Sequence, residues 1–195
     1  MKYFIHLILF FLVAPLLVAQ PTEYWHDIER ELRYTPEGDD FVIVNGDKRF
    51  NRALYGTNTA FRVETSDVPE LGLFMPHMGG NIQFGVLSGT KSLWLNDAEH
   101  IKSRYRAGSR IYEIKDPVLG KGELVITVLA MSDTEGLIIK IESDNLPAGS
   151  KLITIYGGAS NARFSRNGDL GVDDPDAFSL KPEASKGNIF TIHDE

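Results

Sequence analysis

The sequence predicts an all-β protein, a large antiparallel β-sandwich preceded by one short helix. Three observations lead there. Residues 108–143 (GSRIYEIKDPVLGKGELVITVLAMSDTEGLIIKIES) form a meander: apolar runs at 110–115, 123–131 and 137–143, separated by stretches rich in Gly, Pro, Asp and Ser. Pro cannot donate to a ladder and Gly supplies positive φ, so both punctuate strands rather than continue them. Ten or more such short runs recur along the chain at close spacing, the pattern of a sandwich rather than of βαβ units. No internal repeat, heptad pattern or low-complexity tract competes with this reading.

Residues 1–19 open on Lys2, continue through an apolar run interrupted by His6 and Pro15, and end at Ala19 before Gln20-Pro21. A short positive region, an apolar core and a small residue at the exit make a secretory signal peptide; a membrane anchor is the alternative, but the run is short for a span and broken by Pro15 near its end. Residues 20–34 form a lead-in in which Trp25, Ile28 and Leu32 recur at helical spacing after Thr22, a candidate cap; residues 35–38 (TPEG) end it. The sandwich is expected over 35–195. Residues 41–44 are apolar and run into Asn45-Gly46, a hairpin signal with a return strand over 48–50. Further strands are expected at 59–65, 71–74, 81–87, 92–95, 101–106, 151–156, near 178–180 and at 188–193. The strand at 123–131 is apolar on both faces and is expected to be covered on both. In 137–143, Lys140 and Glu142 mark a face that meets water.

Composition narrows the function. The net charge is −7, or −8 once Lys2 leaves with the leader, which argues against nucleic acid or an anionic membrane as partner. There is no Cys, so packing rather than disulfides holds the fold, and neither a lipidated anchor, a thiolate nucleophile nor a Cys-bearing zinc site exists. P-loop, GxSxG and HExxH patterns are absent. No cofactor or metal is expected, and after leader cleavage no membrane contact.

Three constellations remain. His77, within Met75-Pro76-His77-Met78-Gly79-Gly80-Asn81, sits before a glycine pair that would let backbone approach a ligand; a tight packed loop is the simpler reading. Trp94, followed by Asn96, Asp97, Glu99, His100, Arg104 and Arg106, offers an aromatic face beside carboxylates and amides, which is what sugar binding needs. Asp97 and Glu99 could form an acid/base pair, but solvated loop charges account for them more simply. The long loop 157–177 carries Arg163, Arg166, Asn167, Asp169, Asp173, Asp174 and Asp176. Its acids partly match a calcium loop but lack the later bidentate Glu, so Arg–Asp pairing within the loop is preferred.

The segments RFNRALYGTN (49–58), GGNIQFG (79–85), YRAGSRIYEIKDPVLGKGEL (105–124), YGGASNARFSRNGDLG (156–171) and LKPE (180–183) resemble the bacterial domain-of-unknown-function family 4450 from residue 32 onward. That family occurs in large exported proteins, many of polysaccharide-degrading bacteria. The chain is also similar, more weakly, to the N-terminal supersandwich (galactose-mutarotase-like) that precedes an α-helical toroid in several glycoside hydrolases. The resemblance implies an exported (periplasmic or extracellular) accessory module, the front part of a longer protein. Such a module packs on a helical catalytic domain and lends loop residues to a carbohydrate site. It transfers no catalytic residue. The candidate sugar contacts are Trp94, His77, Arg163, Arg166 and Asp169. A stand-alone carbohydrate-binding protein and an interaction module without ligand are the alternatives.

Overall fold

The computed structural model describes residues 32–76 and 78–158. The chain divides into two units, Met1–Leu32 and Arg33–Glu195, and the structure described belongs to the second. The expected signal peptide, the expected helical lead-in apart from its last residues, His77, Arg163, Arg166, Asp169, the loop expected beyond Gly158 and the strands expected near 178–180 and 188–193 lie outside the described residues.

Twelve strands are described: β1 (Thr35–Glu37), β2 (Asp40–Val44), β3 (Arg52–Leu54), β4 (Arg62–Thr65), β5 (Glu70–Met75), β6 (Met78–Ser88), β7 (Lys91–Trp94), β8 (His100–Arg106), β9 (Ser109–Lys115), β10 (Glu123–Ala130), β11 (Leu137–Asp144) and β12 (Lys151–Gly157). Sheet A has the order β1-β2-β8-β9-β10-β11; sheet B has β12-β6-β5-β4-β3, with β7 also paired to β6. Every pairing is antiparallel. One hydrophobic cluster draws Leu54, Val63, Leu71, Ile82, Phe84 and Val86 from sheet B and Ile101, Tyr112, Ile114, Leu124, Ile126 and Val128 from sheet A. The two sheets therefore face each other across a shared core, which makes the fold a β-sandwich.

The period-2 alternation sets which residues enter that core. In β6, Ile82, Phe84 and Val86 point inward, which sends Asn81, Gln83, Gly85 and Leu87 to the outer face of sheet B. In β10 only Leu124, Ile126 and Val128 are buried, whereas Val125 is half-buried and Leu129 exposed. The expectation that this strand is covered on both faces is corrected: its outer face shares rows with Ile111, Lys140 and Glu142, and no third layer lies over it among the described residues.

Two local expectations also change. Thr35–Glu37, expected only to end the lead-in, forms β1, hairpinned to β2 through Gly38, whose φ is +60°. Asn45-Gly46 makes no hairpin. Asn45 does have φ 50°, but it ties to β8 instead, with Asn45 N to Ile101 O at 2.9 Å and Ile101 N to Asn45 Oδ1 at 2.8 Å. Gly46 is required by space, since a Cβ there would come within 2.6 Å of Asp67 Oδ2. The expected return strand 48–50 is irregular, and it proves central to the site.

Candidate functional site

The site is built on the outer face of sheet B, and a clamp inside the sandwich positions it. Arg110 follows the inward parity of Tyr112 and Ile114 and is fully buried. Its Nη2 donates to Ser66 O at 2.8 Å and approaches Asp67 Oδ1 at 3.5 Å, while the Tyr112 hydroxyl donates to Ser66 O at 3.0 Å. Asp67, also fully buried, accepts from Arg33, from the Tyr34 hydroxyl, from Asn51 Nδ2 at 2.6 Å and from Lys48 N at 3.0 Å. Burial alone would raise the Asp67 pKa, but these donors outweigh it and hold the carboxyl below its ordinary range. Burial is also the first reason that Tyr34 is raised and that Tyr112 is pushed up to about 12.

The clamp fixes the segment after β2. Asp67 N donates to Lys48 O at 2.8 Å, Phe50 N to Ser66 Oγ at 2.9 Å and Asn51 N to Thr65 O at 2.9 Å. Held this way, with Phe50 at φ 45°, the segment places Arg49 and Phe50 on the outer face of sheet B. The Phe50 ring occupies the space over Gly72, where a Cβ would meet it at 3.0 Å. Arg49 grips Glu70 through two bonds, Nε to Oε2 at 2.7 Å and Nη2 to Oε1 at 2.6 Å.

Glu70 begins β5 and is 2% exposed. Besides Arg49 it accepts from Asn81 Nδ2 at 2.6 Å and Gln83 Nε2 at 2.9 Å, both from β6. Burial pulls its pKa up; the bonds from Arg49, Asn81 and Gln83 win and leave it lowered. A carboxylate so held stays ionised and serves as an anchor rather than a general acid. One row away, Glu64 flanks Gly72 in register and accepts from Arg62, whose guanidinium lies 4.0 Å from the centroid of the Phe74 ring. This half of the face is polar and buried.

The other half is open. Gly85 of β6 pairs with Trp94 on one side and with Ile153 on the other. The Trp94 ring lies on Gly85, where a Cβ would meet Trp94 Cε3 at 3.0 Å, and the residue remains 44% exposed. With Leu87, Ser92, Ile153 and Asp97 it lines a cleft of about 370 Å³. Asp97 closes the 3₁₀ turn Leu95–Asp97 that follows Trp94.

Of the sequence-derived candidates, Trp94 is placed in this cleft and Asp97 joins it. The rest of that constellation separates: Arg104 and Arg106 lie on the outer face of sheet A, paired with Glu113 and Asp40. The backbone of Glu99 is tied down by Asp116 and Asn45, and Glu99 does not line the cleft. Sequence reading missed Arg49, Glu70 and Gln83, and named Asn81 only as the end of the His77 stretch. The alternation of Asn81 and Gln83 with Ile82 and Phe84 did signal a polar outer face; nothing local signalled that Arg49 and Phe50 would cover it.

A family model described as "Domain of unknown function (DUF4450)" matches residues 75–195. The chain belongs to this family. The DUF4450 match takes in β6 through β12, hence Asn81, Gln83, Gly85 and Trp94, whereas Arg49, Asp67 and Glu70 precede it. No curated protein and no solved structure matches the chain.

Proposed function

We propose that this chain is a carbohydrate-contacting β-sandwich module of an exported, glycoside hydrolase-like protein acting on polysaccharide, working beside a helical catalytic domain outside this chain. The observation that carries the reading is the Trp94 ring, laid on Gly85 yet exposed, at the centre of an open cleft edged by Ser92 and Asp97. An exposed indole on a flat sheet face is costly to leave in water and suits the C–H face of a pyranose, while hydroxyl and carboxylate groups at the rim suit its hydroxyls. The leader-like residues 1–19 support export, and the helical neighbour is proposed from the weaker resemblance of the sequence to supersandwich modules. The role is binding: among the described residues one carboxylate, Asp97, lines the cleft, where glycoside hydrolysis uses a pair, and Glu70, one row away, is committed to Arg49, Asn81 and Gln83.

A glycan array probed with the purified chain and with Trp94→Ala tests this. The expected result is selective binding by the wild type, lost in the variant. A folded wild-type chain that binds no glycan overturns the reading and leaves an interaction module.

A further inference from the structure

The locked carboxylate of Glu70 has a consequence for the cleft beside it. Gln83 stands two residues before Gly85 on β6, on the same face, so its row lies one pleat from the Trp94 row, about 7 Å along the strand. Glu70, ionised and gripped by Arg49, can only accept; it therefore holds the Gln83 amide by its Nε2 at 2.9 Å. With the nitrogen tied down, the group that Gln83 has left is its carbonyl Oε1, and among the described residues nothing donates to it. The side chain is half-buried, so it is both anchored and reachable.

Resting on the carbohydrate reading, we infer that Gln83, which borders the Trp94 cleft without lining it, sets the specificity of the adjoining subsite, its Oε1 accepting a hydroxyl from an uncharged sugar unit next to the one stacked on Trp94. The arrangement selects against uronates. A uronate carboxylate is acceptor-only near neutral pH; placed at this position it meets the Gln83 carbonyl, with the Asp97 carboxylate lining the cleft beside it. Two described lysines near the cleft, Lys151 and Lys91, belong to the Leu87 and Ser88 rows, two pleats or more from Gln83, and the Arg49 guanidinium is committed to Glu70. Glu70 acts here as a positioning residue, and the discrimination comes from an acceptor whose orientation it fixes.

Titration calorimetry on the full chain tests the inference, with cellohexaose, mannohexaose and xylohexaose as neutral probes and hexagalacturonate as the acidic one. At least one neutral probe is expected to bind ten times or more tightly than hexagalacturonate. Gln83→Met, which keeps the length and removes the amide, is expected to weaken that neutral probe about tenfold. The lost bond to Glu70 should lower the melting temperature by only a few degrees, and hexagalacturonate should bind at least as tightly as to the wild type, because the opposing carbonyl is gone. Trp94→Ala should lose all of them. If Gln83→Met binds neutral probes like the wild type, or if hexagalacturonate binds as tightly as they do while Trp94→Ala still abolishes binding, the carbohydrate reading stands and the role of Gln83 falls. If a folded wild type binds none of the four, both fall.

Discussion

The outer faces of the two sheets carry similar residues and use them differently. On sheet A the charges are spread over the surface: Lys102 with Glu37, Lys115 with Glu123, Lys140 with Glu142, and Arg104 and Arg106 with Glu113 and Asp40. Arg106 hydrogen-bonds Asp40 and so lowers its pKa, but most of these partners are wet, and exposed pairs contribute little. On sheet B the charges are gathered. Glu64 and Glu70 are buried, their cations come from the strand itself or from a single irregular segment, and an exposed indole sits beside them. Sheet A therefore shows what a solvated strand face looks like in this molecule, and sheet B shows the departure from it. Concentrating polar groups in low dielectric costs stability unless each is paired, so such a face is a reasonable place to look for function.

The sharpest way to break the contrast is at its support. Asp67→Ala strips the counter-charge from fully buried Arg110 and releases the segment carrying Arg49 and Phe50; chemical denaturation is expected to show a loss of roughly 3–5 kcal/mol. Glu70→Leu removes the anchor of Arg49, Asn81 and Gln83. Because Arg49 is partly exposed and can return to water, the expected loss is smaller, about 2 kcal/mol by the same measurement.

Acid should separate the faces as well. Asp67 and Glu70 have folded-state pKa values below their ordinary 3.8 and 4.5. Between the folded and unfolded values the unfolded chain binds more protons, so stability rises with pH through that window. Their contribution is complete above about pH 5 and disappears as pH falls through the lowered folded values. Denaturation midpoints measured from pH 7 to pH 2 should fall in wild type and fall less steeply in Asp67→Asn. The smallest effect belongs to sheet A: Lys140→Ala should change stability by no more than about 0.5 kcal/mol, and a change of several times that would erase the contrast.

Much of the sandwich was legible in the sequence, because buried strands announce themselves by alternation and by turn residues. The runs at 101–106, 110–115, 123–131, 137–143 and 151–156 correspond closely to β8 through β12. What local pattern could not convey was long-range packing. Asn45-Gly46 has hairpin chemistry, yet Asn45 spends its backbone and side chain on β8 and Gly46 is needed for the approach of Asp67. The charged and polar residues Arg62, Glu64, Glu70 and Asn81 alternate with core residues, a local pattern that does not distinguish a buried polar row from a water-facing one. Phe50 and Arg49, twelve to thirty-two residues earlier in the chain, fold over that face at Gly72 and Glu70. Trp94 was identifiable by residue type alone, but its platform depends on Gly85, a partner set by strand register.

The central claim, that the Trp94 cleft is a sugar platform, is tested most directly by tryptophan fluorescence. The chain has two tryptophans, so Trp25→Phe leaves Trp94 as the sole reporter. Titrated with the neutral hexasaccharides, this variant is expected to show a saturable blue shift as a pyranose displaces water from the indole. A folded variant whose emission stays constant to millimolar sugar would contradict the account.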